Sequence, residues 1–113
     1  MTDQEFNELL AECEEQNVLA ATKKHAAAMR EIARAEAVNL RIAELMTAST
    51  GLSLTQADKV AHAEPAHRAA QREVAVLALE ADIADRKARA LGFALGWAGA
   101  ARRSEYVRLE PVL

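Results

Sequence analysis

A chain of 113 residues accommodates one domain at most, and its 51% hydrophobic content with only 4% aromatics means that much of the apolar surface is alanine, which buries little per residue. A net charge of −3 disfavours general nucleic-acid binding, which rests on a surplus of Lys and Arg. Cys13 is the single cysteine, so an internal disulfide is excluded and the residue reads as a small apolar packing group.

The N-terminus opens on a capping box. Thr2 and Glu5 each satisfy a free backbone N–H of the first turn, and Asp3, Glu5 and Glu8 suit the positive end of a helix dipole. These acids are the reverse of a targeting segment, and the longest uncharged run, Ala90–Ala101, is too short to span a bilayer, so the expectation is a cytoplasmic protein with no membrane partner. From Asp3 no Pro or Gly intervenes before Gly51, which predicts one helix over about 3–47, roughly 65 Å long at 1.5 Å per residue. Its apolar stripe is read as Phe6, Leu10, Cys13, Val18, Ala21, Ala28, Ile32, Ala35, Ile42 and Met46. His25 is placed on the same inner face, as a register-setting polar residue. Gln16 and Asn17 mark the weakest point of the helix.

The Thr47–Gly51 segment ends that helix, because Gly51 can adopt the left-handed conformation. Ser53 or Thr55 caps a short helix over about 54–63, and Pro65 opens a third over about 65–101. Residues 102–113 are expected as an irregular tail or short strand. Leu54–Ala61 resembles the opening of a helix-turn-helix DNA reader over that one short helix. Its small and apolar residues are out of step by one, the turn lacks Gly, and the helix that follows carries Glu73, Glu80 and Asp82 where a reader wants basic and amide groups.

The third helix has two apolar stripes. One is Ala70, Val74, Leu77, Ala81, Ala84, Ala88, Leu91, Leu95 and Ala98; the other is Val76, Leu79, Ile83, Ala90, Phe93 and Trp97. Two stripes require two neighbours, and a chain this short takes the second from another subunit. Val76, Leu79, Ile83, Phe93 and Trp97 are therefore the expected oligomer or partner interface. Ala84, Ala88, Gly92, Gly96 and Ala100, small residues spaced by four, are expected to let another helix approach closely. The bland alternative is that the glycines fray the helix end. Folding the helices back about the middle of the Gly51–Pro65 connection gives facing residues whose numbers add to about 114. Arg41 then faces Glu73, Arg34 faces Glu80, Arg30 faces Asp82 and Asp85, and the acidic block Asp3–Glu15 faces Arg102 and Arg103.

Arg102, Arg103, Tyr106 and Arg108 form a basic concentration that suits an anion, with the plainer reading that it neutralises the helix C-terminus and pairs with acids of the first helix. His62, Glu64 and His67 match no metal-ligand spacing, so no metal is expected. There is no Gly-rich phosphate loop, nucleophile elbow or Ser/His/acid set. The fold expected is all-α: a long antiparallel helical hairpin with a short connecting helix, assembling into a coiled-coil-like oligomeric bundle. The function expected is a non-catalytic protein–protein interaction module, a small adaptor, scaffold or inhibitor of the kind found among phage and mobile-element accessory proteins. It needs no cofactor and partners itself and another protein. The alternative is an oligomeric binder of a nucleotide or other small anion at a subunit interface, and the third reading is DNA binding.

Overall fold

The computed structural model describes residues 1–48 and 51–109, with side chains as far as Ser104. The described residues are all-helical: α1 spans Asp3–Thr47, α2 spans Leu54–Ala63 and α3 spans Pro65–Leu109. Thr2 and Glu5 form the capping box, with Glu5 N–H donating to Thr2 Oγ1 at 3.1 Å and Thr2 N–H donating to Glu5 Oε2 at 3.2 Å. α1 then runs through Gln16 and Asn17 without a break. Gly51 adopts φ +62°, the left-handed conformation that lets the chain reverse. Ser53 and Gln56 make a second reciprocal box at the start of α2.

Pro65 shapes the next junction. The residue before a proline is pushed out of the helical region, and Glu64 accordingly sits at φ −66°, ψ 142°. It closes α2 by donating its N–H to Ala61 O and opens α3 by accepting from Arg68 N–H. α3 continues to Leu109, beyond the end near 101 expected for it; of the expected tail 102–113, the part to Leu109 is helical and residues 110–113 lie outside the described residues.

The chain divides into two compact units. In the elbow unit, Lys23–Ala81, α1 runs antiparallel to a return arm made of α2 and the first part of α3. Arg30 Nε donates to Glu73 Oε1 at 2.9 Å, Lys23 lies 3.9 Å from Glu80, and Arg41 Nε donates to Glu64 Oε1 at 2.8 Å. Facing residue numbers thus add to about 104, and the expected pairs Arg41–Glu73, Arg34–Glu80 and Arg30–Asp82 or Asp85 are replaced. The physical reason is α2. The fold-back centre was placed as though α2 belonged to the loop, but Ala57 and Ala61 are 0% and 1% exposed, so the return begins at Ser53.

The terminal unit, Met1–Thr22 with Asp82–Leu113, is also an antiparallel helix pair. Ala20, Ala84 and Ala88 form its buried cluster, Cys13 is buried, and Phe6, Leu9, Leu91, Leu95 and Ala98 are half-buried along the same seam. Arg102 closes its end, bonded to the Asp3 carboxylate with its guanidinium 4.7 Å above the Phe6 ring.

The inner stripe of α3 lies as the periodicity places it, with every member from Ala70 to Ala98 buried or half-buried. The stripe of α1 is corrected. Leu10, Val18, Ala21, His25, Ala28, Ile32 and Met46 are exposed, and the inner positions are Phe6, Leu9, Cys13, Gln16, Ala20, Lys23, Ala27, Arg34, Ala35, Val38, Ile42 and Leu45. Three of those are polar. Lys23 and Arg34 cover apolar neighbours with their stems while their heads reach Glu80 and Glu31, so counting apolar residues alone selects the wrong face.

Candidate functional site

The second stripe of α3 is uncovered. In the terminal unit Ile83 is 57% exposed, Phe93 73% and Trp97 78%. In the elbow unit Val76 and Leu79 face solvent on the same helix. Phe93 and Trp97 stand beside a shallow notch of about 380 Å³ lined by these two rings with Gly92, Gly96 and Ala100. A Cβ built on Gly92 or Gly96 would meet nothing within 4 Å. The small-residue run therefore divides: Ala84 and Ala88 pack closely against Ala20, while Gly92, Gly96 and Ala100 are open. The glycines are not fraying a helix end, because α3 continues well past Gly99.

α1 adds exposed apolar residues of its own, of which Val18 and Ile32 are expected on the inner stripe. Val18 in the terminal unit, and Met29, Ile32 and Leu40 in the elbow unit, are exposed. The signal that identifies them is the seven-residue repeat of the seam itself, which leaves this opposite face outside once Lys23 and Arg34 are allowed on it.

In the elbow unit polar groups converge where α2 meets α3. His67 is 8% exposed, and its Nε2 has no hydrogen-bond partner. The His62 ring stands edge-on to it, centroids 4.6 Å apart. His62 Nδ1–H donates to the Asp58 carbonyl at 2.8 Å, which fixes its proton on that nitrogen. Arg34 grips Glu31 with two nitrogens, holding that carboxyl below its ordinary value of 4.5. Burial pushes the His67 imidazole below 6.5, and His62 and Arg34 push in the same direction against a weaker pull from Glu31. Beside it a crevice of about 230 Å³ is walled by Val38, Ala61, Ala66 and Ala70 and rimmed by Arg41 and Glu64.

The C-terminal arginines separate. Arg102 is committed to Asp3 and Phe6, Arg103 is exposed beside Gly99, and the side chains of Tyr106 and Arg108 lie outside the described residues. Within the acidic block Asp3–Glu15 expected to face it, Arg102 meets Asp3. Among the described residues no group of three or more His, Cys, Asp and Glu is placed to hold a metal ion, and no helix is long and apolar enough to cross a membrane. Compared with known proteins, the chain matches no family model, no curated protein and no solved structure.

Proposed function

We propose that this chain is a non-catalytic protein–protein interaction module whose first partner is a second copy of itself, docked on the outer face of α3. The carrying observation is the exposure of Phe93 and Trp97 beside the open Gly92–Gly96–Ala100 notch. Two rings at roughly three-quarters exposure leave on the order of 300 Å² of apolar surface wet, worth about 7 kcal/mol if covered. That is comparable to the cost of association, so the rings anchor an interface and its remainder must come from neighbours such as Ile83. A second copy suits the surface because protruding rings and the small-residue notch that receives them lie side by side, and a two-fold axis presents each to the other. The adaptor, scaffold or inhibitor role follows if faces left over on the assembly, such as the outer side of α1, hold another protein.

Sedimentation of the purified protein tests this reading. The expected mass is a multiple of 12.3 kDa, falling to a single chain in Phe93→Asp and Trp97→Asp with helicity retained. A wild-type protein that stays at 12.3 kDa across the micromolar range overturns it.

A further inference from the structure

We infer that the junction of α2 and α3 is an acid-sensitive latch: adding a proton to His67 sets a cation beside His62 and Arg34 in an alanine-walled crevice and frees α2 from α1. The argument starts from geometry. His67 belongs to the inner face of α3, next to the Pro65 junction, and is more than nine-tenths buried. Its Nε2 makes no hydrogen bond, which a neutral ring tolerates at modest cost. A charged ring carries N–H on both nitrogens, so the orphan becomes an unsatisfied donor on a buried cation.

The charged groups facing His67 are mixed. From α1 come Glu31, Arg34 and Arg41; from α2 comes His62; Glu64 stands at the junction and Arg68 follows on α3 itself. Both carboxylates are already engaged, Glu31 by Arg34 and Glu64 by Arg41. Glu64 can compensate the new charge only by loosening its hold on Arg41, the pair that ties the junction to α1. His62 stands at ring-contact distance on α2 and opposes the added charge.

The sign follows from the buried ring resisting the proton. The released segment binds it at about the ordinary 6.5, the closed elbow only at lower pH, so acid favours release. The latch is fully closed above pH 6.5 and weakens as the pH falls below it.

Histidine ring NMR and amide hydrogen exchange on the full chain, between pH 7.5 and 5, test the latch. His67 is expected to titrate below 6.5. Exchange of the α2 amides should accelerate on acidification, after correction for intrinsic exchange, by up to tenfold for each pH unit separating the measured midpoint from 6.5. His67→Leu should abolish that acceleration. His62→Gln, at an exposed position, should raise the His67 midpoint towards 6.5 and so shrink the acid acceleration, so the latch remains testable if His67→Leu fails to fold. A His67 midpoint at or above 6.5, or unchanged acid release in the His62→Gln protein, would overturn the inference.

Discussion

The elbow and terminal units share one construction, a seam of small side chains between antiparallel helices, and differ in what surrounds it. In the elbow unit the seam is crossed by Arg30–Glu73, Lys23–Glu80 and Arg41–Glu64, and a buried histidine sits in the packing. In the terminal unit the seam is Ala20, Ala84 and Ala88, closed by Arg102 on Asp3, and the largest aromatic surface faces outward. An alanine seam brings helices close but scarcely distinguishes one register from another, since every seven-residue slip presents the same small groups. Charge pairs and a tight turn supply the distinction at the elbow. Among the described residues the terminal unit closes its seam with Arg102 on Asp3 and leaves Phe93 and Trp97 uncovered.

The sharpest way to break this comparison is to place the same charge on either side of one helix. Leu77 is half-buried in the seam and Leu79 is 60% exposed. An uncompensated carboxylate at Leu77 costs roughly 3–5 kcal/mol, a large share of a small domain's stability, so Leu77→Asp is expected to lose much of its helical circular dichroism. Leu79→Asp should keep the helices within about 0.5 kcal/mol of wild type and lower the oligomeric mass instead. Two folded variants with wild-type mass would show that inner and outer faces do not divide the labour in this way.

A smaller effect is expected at the turn. Ser53→Ala removes the hydroxyl that accepts from Gln56 N–H and leaves the N-terminus of α2 uncapped, at a cost of about 1 kcal/mol. If the elbow sets register locally, amide exchange should quicken in α2 and in the neighbouring part of α1 more than around Ala20 and Ala88. Equal loss of protection in both units would mean that the turn contributes only to global stability.

Much of this was legible in the sequence because its signals were local. Thr2 with Glu5, Gly51, Ser53 and Pro65 each mark a boundary through the chemistry of one or two turns, and the alternation along α3 from Ala70 to Ala98 has no polar member to obscure it. The face of α1 was misread because its seam uses Gln16, Lys23 and Arg34, and the suitability of the two cations depends on Glu80 and Glu31 standing nearby. The register was misread for a related reason: whether α2 belongs to the loop or to the return arm depends on burial of Ala57 and Ala61, which no local pattern announces. The outer stripe of α3 was found by periodicity, whereas the pairing of His62 with His67 spans a proline junction, where helical spacing gives no guidance.

The finest test bears on the notch itself. Gly92 and Gly96 lie in the interior of a 45-residue helix, where each glycine costs about 0.5–1 kcal/mol relative to alanine, and neither has an atom within 4 Å of an added Cβ. In an isolated chain Gly92→Ala should therefore stabilise α3 by about that amount. If rings from a second copy seat in the notch, the added methyl obstructs them and weakens association. Thermal unfolding should then show a higher Tm than wild type in dilute samples and a gain that shrinks or reverses as protein concentration rises, because only the associated form feels the obstruction. A gain in Tm that is the same at every concentration would leave the glycines with no part in assembly, and the exposed rings of the terminal unit would need a partner approaching from their far side.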